Sequence, residues 1–257
     1  MKRRAVLKGL ALTVFTGVIS GGGVLRAQEN APIVFARLRL RGLPVSRPGA
    51  IAQVVREVEN NSSVVVDRQV AEVEVGSPQL FNYPFLVLSG DRSFARLTDE
   101  EVGNLRLYLR EGGFLFIDDS SGLEDSPFDR SVRRAVGRIV PGSALRPVGR
   151  DHVVYRSFFL LRGISGRLQV RDYLEGAWIG DITPILYSQN DLLGSLQRSP
   201  GGDWALDVVP GGERQRTESR KLAVNLALFA LTGNYKLDVV HVETLLDRMR
   251  KQGGYGR

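Results

Sequence analysis

The sequence predicts an α/β fold with a mostly parallel central sheet. Short, wholly apolar runs, of which residues 114–117 are the clearest, are typical of strands buried on both faces. Segments with apolar residues at helical spacing separate these runs. Because strands that alternate with helices pair in parallel through right-handed crossovers, these observations indicate one sheet covered by helices. The chain has 257 residues and no internal repeat or linker, which favours a single domain.

Residues 97–122 carry the clearest local signals. Thr98 and Glu101 have the spacing of a capping box, so a helix is expected to begin there. Apolar residues continue at helical spacing to Leu109, and Gly112-Gly113 can supply the left-handed residue that ends a helix. The apolar run 114–117 then predicts a buried strand, which places the polar residues after it at the carboxyl end of the sheet.

The other elements are predicted from the same two periodicities. Strands are expected at 33–40, 64–66, 85–89, 168–173 and 178–188, with an edge strand or extended loop at 70–75. Helices are expected at 50–59, 128–140 and 217–231, the last ending before Gly233. Residues 28–241 would form the α/β domain, and residues 242–257 a short amphipathic helix with a frayed, glycine-rich tail.

The first 27 residues resemble a twin-arginine export signal. Arg3-Arg4 precede an apolar residue, a leucine and a lysine, although Val6 stands where that pattern usually has phenylalanine. Residues 10–19 are apolar but too short to span a membrane, and Ala27 offers a small residue for cleavage. The mature protein is therefore expected to be periplasmic or otherwise extracytoplasmic. If the segment is not cleaved, it would be the only membrane anchor.

Composition excludes some classes of function. The formal charge is +7, but five of the 35 basic residues lie in the leader, which has no acid. The remaining 30 basic and 28 acidic residues give the rest of the chain a net charge of only +2, which argues against nucleic-acid binding. The chain has no cysteine, so a cysteine nucleophile and thiolate metal ligands are excluded.

Several blocks in order resemble domain of unknown function 4159. They are Tyr83-Pro84-Phe85-Leu86, residues 97–101, 112–115, 152–158, 185–191, Asn225, 230–236 and His241. This resemblance covers about residues 33–241 and implies a flavodoxin-like, three-layer α/β fold similar to class I glutamine amidotransferases and ThuA-like proteins. It also implies bacterial proteins that are often exported and whose biochemical role is not established. One departure is Asp91, where the family often has histidine.

The polar residues after the central strand are the first candidate site: Asp118, Asp119, Ser120 and Ser121. An amidotransferase carries its cysteine nucleophile in this turn, and the G-x-S-x-G pattern of an exposed catalytic serine is missing as well. The aspartates could hold Mg²⁺ or Ca²⁺ together with Asp91 or Asp191. They could also form an acid–base pair, or they could cap a helix and a loop as purely structural residues.

A second set of polar residues follows later in the chain. It contains His152, Arg156, Ser188, Asn190 and Asp191. The last three close an apolar strand, so they could converge with Asp118 and Asp119 on a pocket for a polyhydroxylated or anionic ligand. Alternatively, Asn190-Asp191 is an ordinary turn.

Two functional hypotheses follow, and the sequence leaves open whether the protein is an enzyme. The first is a non-catalytic domain of the cell envelope that binds a small polar ligand or an envelope protein. The second is a hydrolase of a carbohydrate-like substrate that uses Asp118, Asp119 and His152, with or without a metal ion. No motif requires a cofactor.

Overall fold

The computed structural model describes the backbone of residues 32–252 and the side chains of residues 32–232. Its centre is a seven-stranded sheet with the strand order β2-β1-β3-β4-β7-β6-β5. The strands are β1 Phe35–Arg39, β2 Ala71–Glu74, β3 Phe85–Gly90, β4 Phe114–Asp119, β5 Arg146–Pro147, β6 Glu175–Ile179 and β7 Ile182–Ser188. The five neighbouring strands β2, β1, β3, β4 and β7 run parallel. Strand β6 pairs antiparallel with β7, and β5 pairs antiparallel with β6.

Helices cover both faces of the sheet. They are α1 Ala50–Asn61, α2 Asp99–Arg110, α3 Pro127–Ile139, α4 Leu192–Leu196 and α5 Gly212–Gln252. Phe114 and Phe116 of β4 pack with α1, α4 and α5, while Leu115 and Ile117 pack with α2 and α3. Successive side chains of a strand point to opposite faces, so β4 is apolar throughout because each face has its own core. The mostly parallel α/β fold predicted from the sequence is confirmed.

The predicted start and end of α2 are confirmed in detail. The Thr98 hydroxyl accepts a hydrogen bond from Glu101 N at 3.1 Å, and Glu101 Oε2 accepts one from Thr98 N at 2.6 Å. After the helix, Gly112 has a φ of +94°, the left-handed conformation that glycine adopts most easily. Gly113 has no room for a side chain, because a Cβ there would overlap the Tyr108 ring. Sequence-local signals therefore position β4.

Three predicted elements differ from the structure. Residues 64–66 form only one isolated bridge, between Val66 and Ile33, and residues 168–173 form no strand. The amides of Val170 and Arg171 donate to the Asn190 side chain instead of to a neighbouring strand. The single strand expected at 178–188 is divided into β6 and β7 at Gly180, whose φ is +56°.

The last helix also differs from its prediction. Helix α5 continues through Gly233 to Gln252, since one glycine inside a helix costs only about 1 kcal/mol relative to alanine. Residues 70–75, for which the sequence indicates an edge strand or an extended loop, contain the edge strand β2. The predicted leader and frayed tail lie outside the described residues. Among the helices within 32–252, none combines the length and apolarity that a membrane crossing requires.

Candidate functional site

The carboxyl ends of three neighbouring strands bring the first group of predicted residues together. In the parallel register, Asp118 of β4 lies beside Ser89 of β3 and beside Ser188 of β7. The pairing continues one step further, since Asp191 N donates to the carbonyl of Asp119 at 3.1 Å. The structure therefore places Asp118 and Asp119 next to the turn that carries Asn190 and Asp191.

Asp118 holds the start of helix α4. Its side chain is fully buried, and its two carboxyl oxygens accept hydrogen bonds from Leu192 N at 2.9 Å and Leu193 N at 2.8 Å. Burial and the nearby charge of Asp191 raise the pKa of Asp118 well above its ordinary value. Both oxygens are thus engaged by the protein's own backbone.

Asp119 holds the loop between β4 and α3. It is fully buried, and one oxygen accepts from Ser121 N at 2.8 Å. The other oxygen accepts from the Ser126 hydroxyl at 2.5 Å and from the Tyr187 hydroxyl at 3.3 Å. The Ser126 hydroxyl in turn caps α3 by accepting from Asp129 N. These contacts agree with the structural interpretation of the aspartate pair.

Asp191 is the centre of a buried charge cluster. It adopts a left-handed backbone conformation, φ +51°, and its side chain caps α4 by accepting from Gly194 N at 3.1 Å. The same carboxylate accepts from Arg47 Nε at 2.9 Å and Nη2 at 2.7 Å, and from Arg167 Nε. This bidentate pair with Arg47 is the strongest arrangement available to a carboxylate and a guanidinium. Neither arginine was predicted from the sequence.

Arg47 has a sequence signal that could have revealed it, because it lies in the loop that directly follows the predicted first strand. Such loops lie at the carboxyl edge of a parallel sheet, where Arg47 also approaches the carbonyl of Ser120. Arg167 lies in an irregular segment that does not directly follow a strand, either predicted or observed. Its position depends on backbone contacts with the 190–191 turn and has no local signal.

The remaining residues predicted at this edge have simple roles. Ser121 Oγ accepts from Leu123 N, and Ser188 Oγ accepts from Asn190 N. Ser120 Oγ is buried and has no hydrogen-bond partner among the described residues. Asp91 is exposed and pairs with Arg92 at 2.8 Å, and this hydrogen bond lowers its pKa. Asp91 therefore contributes to a surface pair and not to a shared cluster of carboxylates.

His152 lies at the opposite edge of the sheet. Its Nε2 is 3.1 Å from the hydroxyl of Thr183, which is at the amino end of β7, and its Nδ1 accepts from Val154 N at 3.2 Å. Thr183 precedes Ser188 by five residues, which corresponds to about 16 Å along a strand. The predicted combination of Asp118, Asp119 and His152 is therefore wrong, because strand β7 separates the histidine from the aspartates.

The metal-binding interpretation finds no geometric support either. Within the part of the chain whose side chains are described, no three histidine, aspartate or glutamate side chains cluster in a way that could hold a metal ion. Arg156, predicted beside the same site, is exposed on the edge where His152 lies. Burial, and to a smaller extent the charge of Arg156, lowers the pKa of His152.

An open polar cleft of about 810 Å³ adjoins the carboxyl edge. Its walls are the segments that follow β1 and β2, residues 39–44 and 74–76, and the first turn of α2. Arg41 is largely exposed and lies 3.8 Å from Glu101, and Arg39 is 3.4 Å from Glu72. Sequence reasoning missed this cleft because it is formed by loops from three separate parts of the chain.

Comparison with known proteins gives a family but no activity. No curated protein matches the chain. Among solved structures, alpha-L-fucosidase isoenzyme 2 from Paenibacillus thiaminolyticus is similar at 14% identity with a TM-score of 0.32. The alignment covers 79% of this chain but only 32% of the fucosidase chain. The model of the family "Domain of unknown function (DUF4159)" matches residues 34–231, well over half of the 257 residues. The chain therefore belongs to the DUF4159 family.

Proposed function

We propose that this protein is an exported, non-catalytic binding domain that takes a small polyhydroxylated ligand in the cleft beside the carboxyl edge. One observation carries the proposal. The carboxylates at the strand ends accept hydrogen bonds from their own chain, as Asp118 does from α4, whereas Arg41, Glu74 and Glu100 of the cleft are exposed to solvent. The strand order supports a flavodoxin-like or amidotransferase-like arrangement, in which ligands bind at this edge.

The cleft has the chemistry that a sugar-like ligand requires. Guanidinium groups of Arg39 and Arg41 offer several donors in a fixed plane, and Glu74 and Glu100 offer acceptors. Arg41 has 71% of its side chain exposed, and its 3.8 Å approach to Glu101 is too long for a hydrogen bond. A ligand with several hydroxyl groups can therefore form hydrogen bonds with both Arg41 and Glu101 without displacing a tight ion pair.

A thermal-shift assay tests the binding. We expect neutral mono- and disaccharides at millimolar concentration to raise the melting temperature, because a ligand that binds only the folded state stabilises it. Arg41→Ala should reduce the shift. Arg68→Ala is the matched control, since Arg68 has 82% of its side chain exposed, pairs with Glu59 and does not line the cleft. No shift with any saccharide, or an equal shift in both variants, would contradict the proposal.

Export has a separate test. The twin arginines ahead of an apolar segment support passage through the twin-arginine pathway. Replacing Arg3-Arg4 with two lysines should keep the protein in the cytoplasm, as measured by fractionation and immunoblotting. Unchanged export of the lysine variant would exclude the twin-arginine assignment.

A further inference from the structure

A second, apolar pocket lies at the opposite edge of the sheet. Its volume is about 290 Å³, and it is formed at the amino ends of β4 and β7 against helix α5. The ring of Phe229 lies 5.2 Å from the ring of His152 and 5.7 Å from that of Phe114. Ile182 and Val153 also line the pocket and are 38% and 50% exposed. A concave apolar site with few polar groups is typical of sites for small molecules.

The hydroxyl of Thr183 is a hydrogen-bond donor that this pocket offers to a ligand. Because His152 Nδ1 accepts from Val154 N, the ring proton is on Nε2, which then donates to the Thr183 hydroxyl oxygen at 3.1 Å. Thr183 lines the pocket and is only 4% exposed. Its own hydroxyl proton has no acceptor among the residues whose side chains are described. A buried donor without an acceptor is costly, so an acceptor supplied by a ligand would be favoured.

The rim of the pocket selects against negative charge. Asp151 and Asp181 both line it and are exposed, and neither forms an ion pair within residues 32–232. Within residues 32–232, the exposed Arg156 is the cation that acts on His152, and its single charge is outnumbered by the two carboxylates. A cationic ligand group would suit the rim, but an ammonium group has no lone pair to accept the Thr183 hydroxyl proton.

We propose that this pocket binds an uncharged small molecule with an aromatic or branched aliphatic body and a hydroxyl or carbonyl oxygen that accepts from Thr183. The site is separate from the polar cleft of the proposed function, because it lies at the other edge of the sheet. Its volume is at the lower limit for ligand pockets, which suits a molecule of about 10 to 15 non-hydrogen atoms.

Calorimetric titration of the full chain with three probes that share one aromatic body and are similar in size tests the proposal. The probes are 2-naphthalenemethanol, 2-naphthylmethylammonium and 2-naphthoate, which are neutral, cationic and anionic. We expect saturable binding that is tightest for the alcohol and weakest for the carboxylate. Thr183→Val should weaken binding of the alcohol about fivefold, the effect of one hydrogen bond, whereas Thr183→Ser should keep the affinity.

A blocking variant shows where the alcohol binds. Ile182→Trp places a larger side chain at the half-exposed mouth of the pocket and should abolish binding. Leu123→Trp is the matched control, because Leu123 is 59% exposed and does not line this pocket. Absence of saturable binding to the wild type, equal affinity for the carboxylate, or unchanged binding to Ile182→Trp would each overturn the proposal.

Discussion

Replacing Asp191 by alanine should be among the most destabilising single changes at the carboxyl edge. The substitution leaves the guanidinium groups of Arg47 and Arg167 without their carboxylate, and these side chains are only 19% and 22% exposed. Removing one partner of a buried ion pair costs about 3–5 kcal/mol, and the partial exposure of both arginines favours the lower value, about 3 kcal/mol. The lost cap on Gly194 N adds about 1 kcal/mol. We therefore expect a loss of about 4 kcal/mol.

Asp191→Asn separates the two contributions. Asparagine tolerates the left-handed backbone of this position, φ +51°, and its carbonyl can still accept from Gly194 N. Only the charge is lost, so the expected cost is about 3 kcal/mol and smaller than that of alanine.

Urea unfolding at pH 7, followed by tryptophan fluorescence, measures these differences. Asp91→Ala serves as the control, because Asp91 pairs with Arg92 at the surface and has 43% of its side chain exposed. Exposed pairs contribute about 0–1 kcal/mol. If Asp191→Ala were no more destabilising than Asp91→Ala, the view that a buried charge cluster holds this edge together would be refuted.

Three further predictions concern stability. Burial and the charge of Asp191 raise the pKa of Asp118 in the folded protein. As the pH rises, Asp118 therefore loses its proton at a lower pH in the unfolded chain than in the folded protein. The stability of the wild type relative to Asp118→Asn should therefore decrease as the pH rises above 3.8, and a pH-independent difference in urea midpoints would contradict this. Burial lowers the pKa of His152 below 6.5, so the wild type should lose stability relative to His152→Asn as the pH falls below 6.5, which thermal melts at pH 5 and 7 would test. Thr98→Ala removes the cap bond to Glu101 N and should cost about 1 kcal/mol by urea unfolding; a cost near zero would speak against the capping box.

The elements that could be predicted from the sequence are those with local causes. Thr98, Glu101 and Gly112 define the limits of α2 through contacts within a few residues, and the apolar run of β4 reports burial on both faces. Residues 168–173 show the opposite case. Their apolar alternation resembles a strand, but the side-chain oxygen of Asn190, about twenty residues away, accepts hydrogen bonds from the backbone amides of Val170 and Arg171. No local pattern contains that contact.

The candidate site was predicted in part for the same reason. Asp118 and Asp191 could be placed at one edge, because each follows an apolar strand and parallel strands end at the same edge. The position of His152 depends on a loop that returns to the start of β7, so its separation from Asp118 follows from chain direction and not from residue type. The hydrogen bonds that the carboxylates accept from the protein's own backbone could not be predicted either, since they depend on which amides the fold brings close to them.

The two outer strands of the sheet have a consequence for self-association. Strand β5 has only two residues and includes Pro147, which has no amide proton to donate to a neighbouring chain. Strand β2 has four residues, and its outward side chains include Glu72 and Glu74, which would repel the same strand of another copy. Short, charged or proline-bearing borders of this kind disfavour strand addition between molecules. The sheet is therefore protected against growing into an aggregate from either side, even though its central strands β3 and β4 are buried and largely apolar.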